Sequence, residues 1–361
     1  MKVDKQTMQN ITACKIIGGW IQRYFSSEEA LAMLFLLAGA LAVILLFGSV
    51  LAPVIASLVL AFILQGLVSI LERLHCPRGL AVNLVFLLFM ALFIAVFLLV
   101  LPLVWDQGTT LLNELPRMVQ PWRELLSKLP EAYPGVFSEA QVHSWSVTAH
   151  EQLSKMGRWL LSVSLATLPN ILALLVYLVL IPILVFFFLK DRQPLMQWFV
   201  ALLPSKRRMI DQVGAEMSRQ IANYIRGKAL EIVIVGASTF ALFAVLNMRY
   251  AALLGSLVGL SVVVPFIGAV LVTLPVIAVG LFQWGLTDPF FIMLAAYSVL
   301  QIIDGNVLVP LLFSEAVNLH PVAIIVAVLF FGGLWGGWGV FFAIPLAALV
   351  KAVATAWPAR A

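Results

Sequence analysis

The sequence predicts an all-α, polytopic membrane protein of about eight transmembrane helices, with two broken or re-entrant segments and one external amphipathic helical segment. Three observations lead there. Of 361 residues, 63% are hydrophobic and 11% are charged, whereas a water-facing surface needs roughly 25% charged residues. The apolar residues come in continuous runs and not in alternation, which suits helical spans of ~20 residues and argues against an outer-membrane barrel. The net charge of +5 comes from Lys and Arg clustered beside those runs. That is the mark of cytoplasmic loops, so no nucleic-acid partner is implied.

In chain order, residues 1–29 form a polar tail with only short apolar runs and no cleavable signal peptide, placed in the cytoplasm. Residues 30–104 supply spans one to three. The stretch 30–71 has one weak break at Gly48-Ser49, just before Pro53, and its length predicts two spans joined by a tight turn. Arg73 and Arg78 place the next loop inside, and the third span follows over 80–104.

Residues 105–164 are the external segment. Leu111, Leu115, Met118, Trp122, Leu125 and Leu129 recur at alternate spacings of four and three, which puts them on one helix face. Pro116 and Pro121 predict a kink or break in that helix. A second stripe (Leu153, Met156, Trp159, Leu160, Val163) leads into the fourth span, 165–189. A cap packed on the bundle is the preferred reading of these stripes, ahead of an external gate or an oligomer contact.

Residues 190–228 are basic: Lys190, Arg192, Lys206, Arg207, Arg208, Arg219, Arg226 and Lys228 outnumber Asp191, Asp211 and Glu216, which places the segment in the cytoplasm. Its stripe Ile210, Val213, Met217, Ile221 and Tyr224 predicts a helix lying in the membrane surface. Residues 229–350 hold spans five to eight, in the runs 229–246, 251–282, 289–313 and 321–350. Counting each as one crossing puts both termini in the cytoplasm, in keeping with Lys351 and Arg360 of the tail 351–361. Re-entry of 251–282 at Pro265 is the alternative. Cys14 and Cys76 offer neither a metal spacing nor a disulfide.

Three places can carry chemistry. Gln301, Asp304, Gly305 and Asn306 sit well inside an apolar run. A carboxylate at membrane depth costs at least a few kcal/mol, so such residues usually line a wet cavity or bind an ion. Gln301 and Asp304, three apart, share a helix face, and Gly305 would let the helix unwind. A structural helix–helix hydrogen bond is the plainer alternative. Pro265 and Gly268, followed by Pro275, interrupt the second long run. Gly332, Gly333, Gly336, Gly337 and Gly339, followed by Pro345, interrupt the last. Breaks of this kind free backbone groups that must face protein or water, as in transporters built on discontinuous helices. In the loop 314–320, His320 and Glu315 are weaker candidates for a proton-linked role, against an ordinary interfacial histidine.

No enzyme machinery is visible. Gly227-Lys228 lacks the flanking glycine and Ser/Thr of a phosphate loop, so no ATP is implied. His150-Glu151 lacks a second histidine at metalloprotease spacing, and no Gly-x-Ser-x-Gly elbow occurs. No cofactor and no metal are expected.

The stretches QIANYIRGKAL (220–230), VPFIGAVLVTLP (264–275), QIIDGNVLVPLLFSEAVNLHP (301–321) and FGGLWGGWGVFFAIP (331–345) together resemble the signature of the autoinducer-2 exporter family, in its PerM-like permease branch. The similarity runs from about residue 25 to residue 357. It implies an eight-span secondary transporter of the bacterial inner membrane, a homo-oligomer, embedded in lipid and handling a small molecule or an ion. Export of autoinducer-2 gives the family its name; sodium/proton antiport is assigned to some relatives and stands as the alternative. A non-transporting scaffold is a second alternative, disfavoured because a scaffold gains nothing from an intramembrane Asp304 and two Gly/Pro breaks.

Overall fold

The computed structural model describes residues 28–118, 171–204, 207–265, 267–313 and 319–357, with a few isolated positions between 144 and 155. These residues form helices and the turns that join them, with no strand among the described residues. Seven stretches are long and apolar enough to cross a membrane, and Val176–Lys190, Ala251–Ser261 and Ala343–Ala356 are shorter apolar helices. An apolar chain in lipid must satisfy its own amides within each segment, and the α-helix does so.

That rule outweighs the weak break near the N-terminus. Helix α1 (Glu28–Arg73) runs 46 residues without a turn, about 69 Å at the α-helical rise. The tight turn expected at Gly48-Ser49 is therefore replaced by continuous helix, since Gly and Ser are tolerated in apolar helices. Pro53 lies inside it, and the buried Ser57 hydroxyl donates to the Pro53 carbonyl at 2.6 Å. Helix α2 (Arg78–Ala95), a π-helical turn (Val96–Val100) and α3 (Leu101–Met118) follow as one run. The segment expected to be external from residue 105 thus opens as a continuation of the span, with Leu111 packed on a hydrophobic core. Trp122, Leu125, Leu129 and the second stripe lie outside the described residues.

Helix α4 (Ile171–Lys190) precedes α5 (Arg192–Ala201) and the 38-residue α6 (Arg208–Val245). No separate surface helix precedes the fifth span; α6 contains both. Its stripe is covered by protein, not lipid: Ile210, Val213, Met217 and Tyr224 are buried. Ile210, Val213 and Met217 share a core with the adjacent Met209 and with Met33 of α1, and Leu349, Val353 and Trp357 pack against it. Amphipathic spacing marks a buried face without saying what buries it.

The remaining helices are α7 (Ala251–Ser261), α8 (Ile267–Trp284), α9 (Asp288–Ile303), a π-helical turn (Asp304–Leu308), α10 (Val309–Phe313), α11 (Pro321–Phe341) and α12 (Ala343–Ala356). The chain forms two compact units: one from Met1–Gly66, Leu184–Arg226 and Glu315–Ala361, the other from Leu67–Ile183 and Gly227–Ser314. In the second unit α7 and α8 form a helical hairpin. At its tip Gly268 lies against Ser261; at its open end the Gln283 amide accepts from the Arg249 N–H at 2.6 Å and donates to the Asn247 carbonyl at 2.8 Å. Residues 251–284 therefore form two helices folded back on each other between Ser261 and Ile267, and not one continuous helix.

The open end is clasped by α3. Gln107 Oε1 accepts the Leu253 N–H at 2.9 Å, capping the first turn of α7, and the Tyr250 hydroxyl donates to Glu114 Oε2 at 2.6 Å. Burial and the facing carboxylate push that phenol up to about 12, so it remains a donor at physiological pH. Behind the clasp, Leu254, Val258, Val276, Val279, Met293 and Phe243 form the core of the unit.

Candidate functional site

The α7–α8 turn frees backbone groups inside an apolar protein, and most are recovered locally. The Val264 N–H donates to Ser261 O, and the Gly268 N–H to Val264 O. The Val262 carbonyl is recovered differently. It accepts from Lys228 Nζ at 2.9 Å, so a charged side chain of α6 caps the break.

Lys228 is the centre of the site. Its side chain is 6% exposed and pairs at 2.6 Å with Glu231 Oε2, whose side chain is 3% exposed. Its ammonium also lies 5.0 Å from the centre of the Phe313 ring, a distance at which the ring face attracts a cation. Gly227 lets the end of α10 approach, since a Cβ there would lie 2.8 Å from Phe313 Cε1 and 3.2 Å from the Leu312 carbonyl. A lone ammonium so buried would cost several kcal/mol; ion pairing and hydrogen bonding make the placement tolerable.

Asp304 completes the group. Its carboxylate is within electrostatic reach of both Lys228 and Glu231. Its Oδ1 is buried with no hydrogen-bond partner among the described residues. Asp304 opens the π-helical turn, where the Val309 N–H reaches back five residues to the Asp304 carbonyl. Such single wide turns often mark functional positions in helices. Gly305 lies in this turn, which stays wound; the expected unwinding is replaced by the extra residue of the π turn.

The other sequence candidates divide. Asn306 is exposed and its amide donates to the Ile302 carbonyl at 2.9 Å. Gln301 bonds back along α9: it donates to the Tyr297 hydroxyl at 2.6 Å, which sits 3.1 Å from Thr273 Oγ1 of α8, itself bonded to Ala269 O. Gln301 thus braces Tyr297, which links α9 to α8, instead of joining Asp304. Pro265 and Gly268 shape the turn whose carbonyl Lys228 holds. Gly332, Gly333, Gly336 and Gly337 belong to the first unit. There α11 breaks at Gly336, which has φ 60° and ψ −139°. Gly339 lies so close to Phe331 that a Cβ would sit 1.9 Å from its carbonyl oxygen. Trp335 and Trp338 stack on Phe342, and the Tyr224 hydroxyl donates to the Phe341 carbonyl at 3.0 Å. His320 caps α11, its Nδ1 accepting the Val322 N–H at 3.3 Å; Glu315 lies outside the described residues. The first unit also holds a cleft of about 750 Å³ whose wall includes Glu216, Arg219, Gln220 and Lys351. Arg219 and Glu216 there pair with each other at 2.8 Å.

Sequence reasoning missed Lys228 and Glu231. Counted by charge alone, Lys228 falls with the basic segment 190–228, and Glu231 belongs to no motif. The signal was present: a Lys and a Glu three apart at the mouth of an apolar run share a helix face and can pair.

An all-helical chain with many membrane-length apolar helices, a broken helical hairpin and a buried charge group is a multi-pass membrane protein. The chain belongs to the AI-2E transporter family, described as AI-2E family transporter, which matches residues 32–359. It is 42% identical over 339 residues to PerM of Escherichia coli (strain K12), covering 94% of this chain and 96% of that protein. It is 28% identical over 314 residues to YueF of Bacillus subtilis (strain 168), covering 83% and 82%. A further relative is the AI-2 transport protein TqsA of Escherichia coli (strain K12), 26% identical over 310 residues and covering 84% and 85%.

Proposed function

We propose that this protein is a secondary transporter of the bacterial inner membrane, a homo-oligomer with cytoplasmic termini, that exports a small polar molecule such as autoinducer-2 in an ion-coupled cycle. The observation that carries the reading is the Asp304–Lys228–Glu231 group. Charges are placed inside an apolar protein at substantial cost, and in transporters they mark the route of ion or solute. Family membership supports the class, and the relative TqsA, an AI-2 transport protein by name, supports the cargo. Asp304 would take the coupling ion or proton, and the exposed amide of Asn306 would hydrogen-bond cargo.

Efflux of autoinducer-2 from proteoliposomes tests this reading. The wild-type protein should empty preloaded vesicles, and Asp304→Asn should lose efflux by about tenfold or more while keeping its fold. Folded wild-type protein that moves no autoinducer-2 would remove the cargo. Undiminished efflux by the Asp304 variant would remove the role given to that residue.

A further inference from the structure

We infer that Lys228 acts as a tethered cation, occupying the place a sodium ion would otherwise take, so that this group is closed to sodium while Lys228 is present. The inference rests on the reading of Asp304 as part of the transport route, and adds which ion the group rejects and which residue decides it.

Glu231 Oε2 is 2.6 Å from Lys228 Nζ and the Val262 carbonyl is 2.9 Å from it. Asp304 supplies a second carboxylate within electrostatic reach, its Oδ1 buried and without a hydrogen-bond partner among the described residues. The Glu231 carboxylate and the carbonyl released by the helix break are hard oxygens at the ammonium, and carbonyls freed in this way are the groups by which discontinuous helices coordinate Na⁺. Here the positive charge is already supplied, covalently, by α6. An ammonium has three donors and no acceptor; Glu231 and the Val262 carbonyl both engage it and the Phe313 ring lies 5.0 Å away. No second cation fits among these oxygens without displacing the first, and like charges at such separations repel strongly in a medium of low dielectric.

Removing the side chain should expose the oxygen set. Lys228→Ala leaves Glu231 and Asp304 with no counter-charge and the Val262 carbonyl with no donor. A small cation then binds the folded state and not the unfolded chain, and its concentration raises the apparent stability.

The test follows thermal unfolding of the full-length protein in lipid nanodiscs, titrated with NaCl against choline chloride at constant ionic strength. Wild type should give the same melting temperature in both salts. Lys228→Ala should melt lower than wild type in choline and regain stability steadily as sodium is added. A second variant, Lys228→Ala with Asp304→Asn and Glu231→Gln, removes the charged ligands and should lose the sodium response. Sodium stabilising the wild type would overturn the inference, as would Lys228→Ala responding no better to sodium than to choline. If Lys228→Ala does not fold in choline, purification in sodium gives the same reading: recovery of folded protein there supports the proposal, and failure in both salts overturns it. Because the readout is binding, a silent efflux assay would count against the transport reading alone.

Discussion

Glu231→Gln is expected to cost about 3–5 kcal/mol of folding stability, the range for removing one partner of a buried ion pair. Lys228 would keep its Val262 carbonyl and its contact with Phe313, but its nearest charge would be gone. The loss comes mainly from an uncompensated buried ammonium and only in part from the attraction removed. Replacing both partners by apolar side chains of similar volume, Lys228→Met with Glu231→Leu, should therefore be far milder than Glu231→Gln alone. The two single changes and the double change form a cycle whose interaction term measures the pair. Asp304 sharpens the test, because its carboxylate is also within electrostatic reach of Lys228. If Glu231→Gln melts like wild type while Asp304→Asn collapses, Asp304 is the true counter-ion and the pairing at 2.6 Å is secondary. Denaturation in nanodiscs, at one lipid composition for all variants, reads each outcome.

What the sequence disclosed follows from which physical signals are local. Apolar run length and charge depletion are local, and they carried the all-helical membrane class. The Pro265–Gly268 and Gly332–Gly339 breaks were visible because Pro and Gly act on their own backbone, and the hairpin tip and the Gly336 kink lie there. Partners across the fold were not visible. The stripe Ile210–Tyr224 showed a face to be buried, but its cover comes from Met33 and from Leu349 to Trp357, distant in sequence. Lys228 was misplaced for a related reason. Counting Lys and Arg over residues 190–228 treats them as one population, and the last of them lies beyond the segment's exposed part, paired inside the protein. Gln301 and Asp304 share a helix face by spacing, yet a tyrosine one turn earlier takes Gln301 away.

Gly268→Ala should be the most disruptive methyl group that can be added to the hairpin. An added Cβ would stand 1.8 Å from the Ser261 carbonyl oxygen and 2.7 Å from its carbonyl carbon. Both are backbone atoms, so no rotamer relieves the overlap, and α7 must move away from α8. That motion separates Leu254 and Val258 from Val276 and Val279, whose side chains fill the core of the unit. It also moves the Val262 carbonyl off Lys228. Overpacking of a well-packed core costs about 1–3 kcal/mol; a clash of two backbones coupled to a buried charge belongs to the rarer class above about 4 kcal/mol. Gly305→Ala is the contrasting substitution, with nothing within 4 Å of the added Cβ. It should be neutral or stabilising by up to about 1 kcal/mol, the difference in helix propensity. Yields of folded protein after detergent extraction, followed by thermal melts, should separate the two clearly. Equal behaviour would mean that the hairpin tip yields freely, and that close packing of α7 on α8 does not set the position of the carbonyl that Lys228 holds.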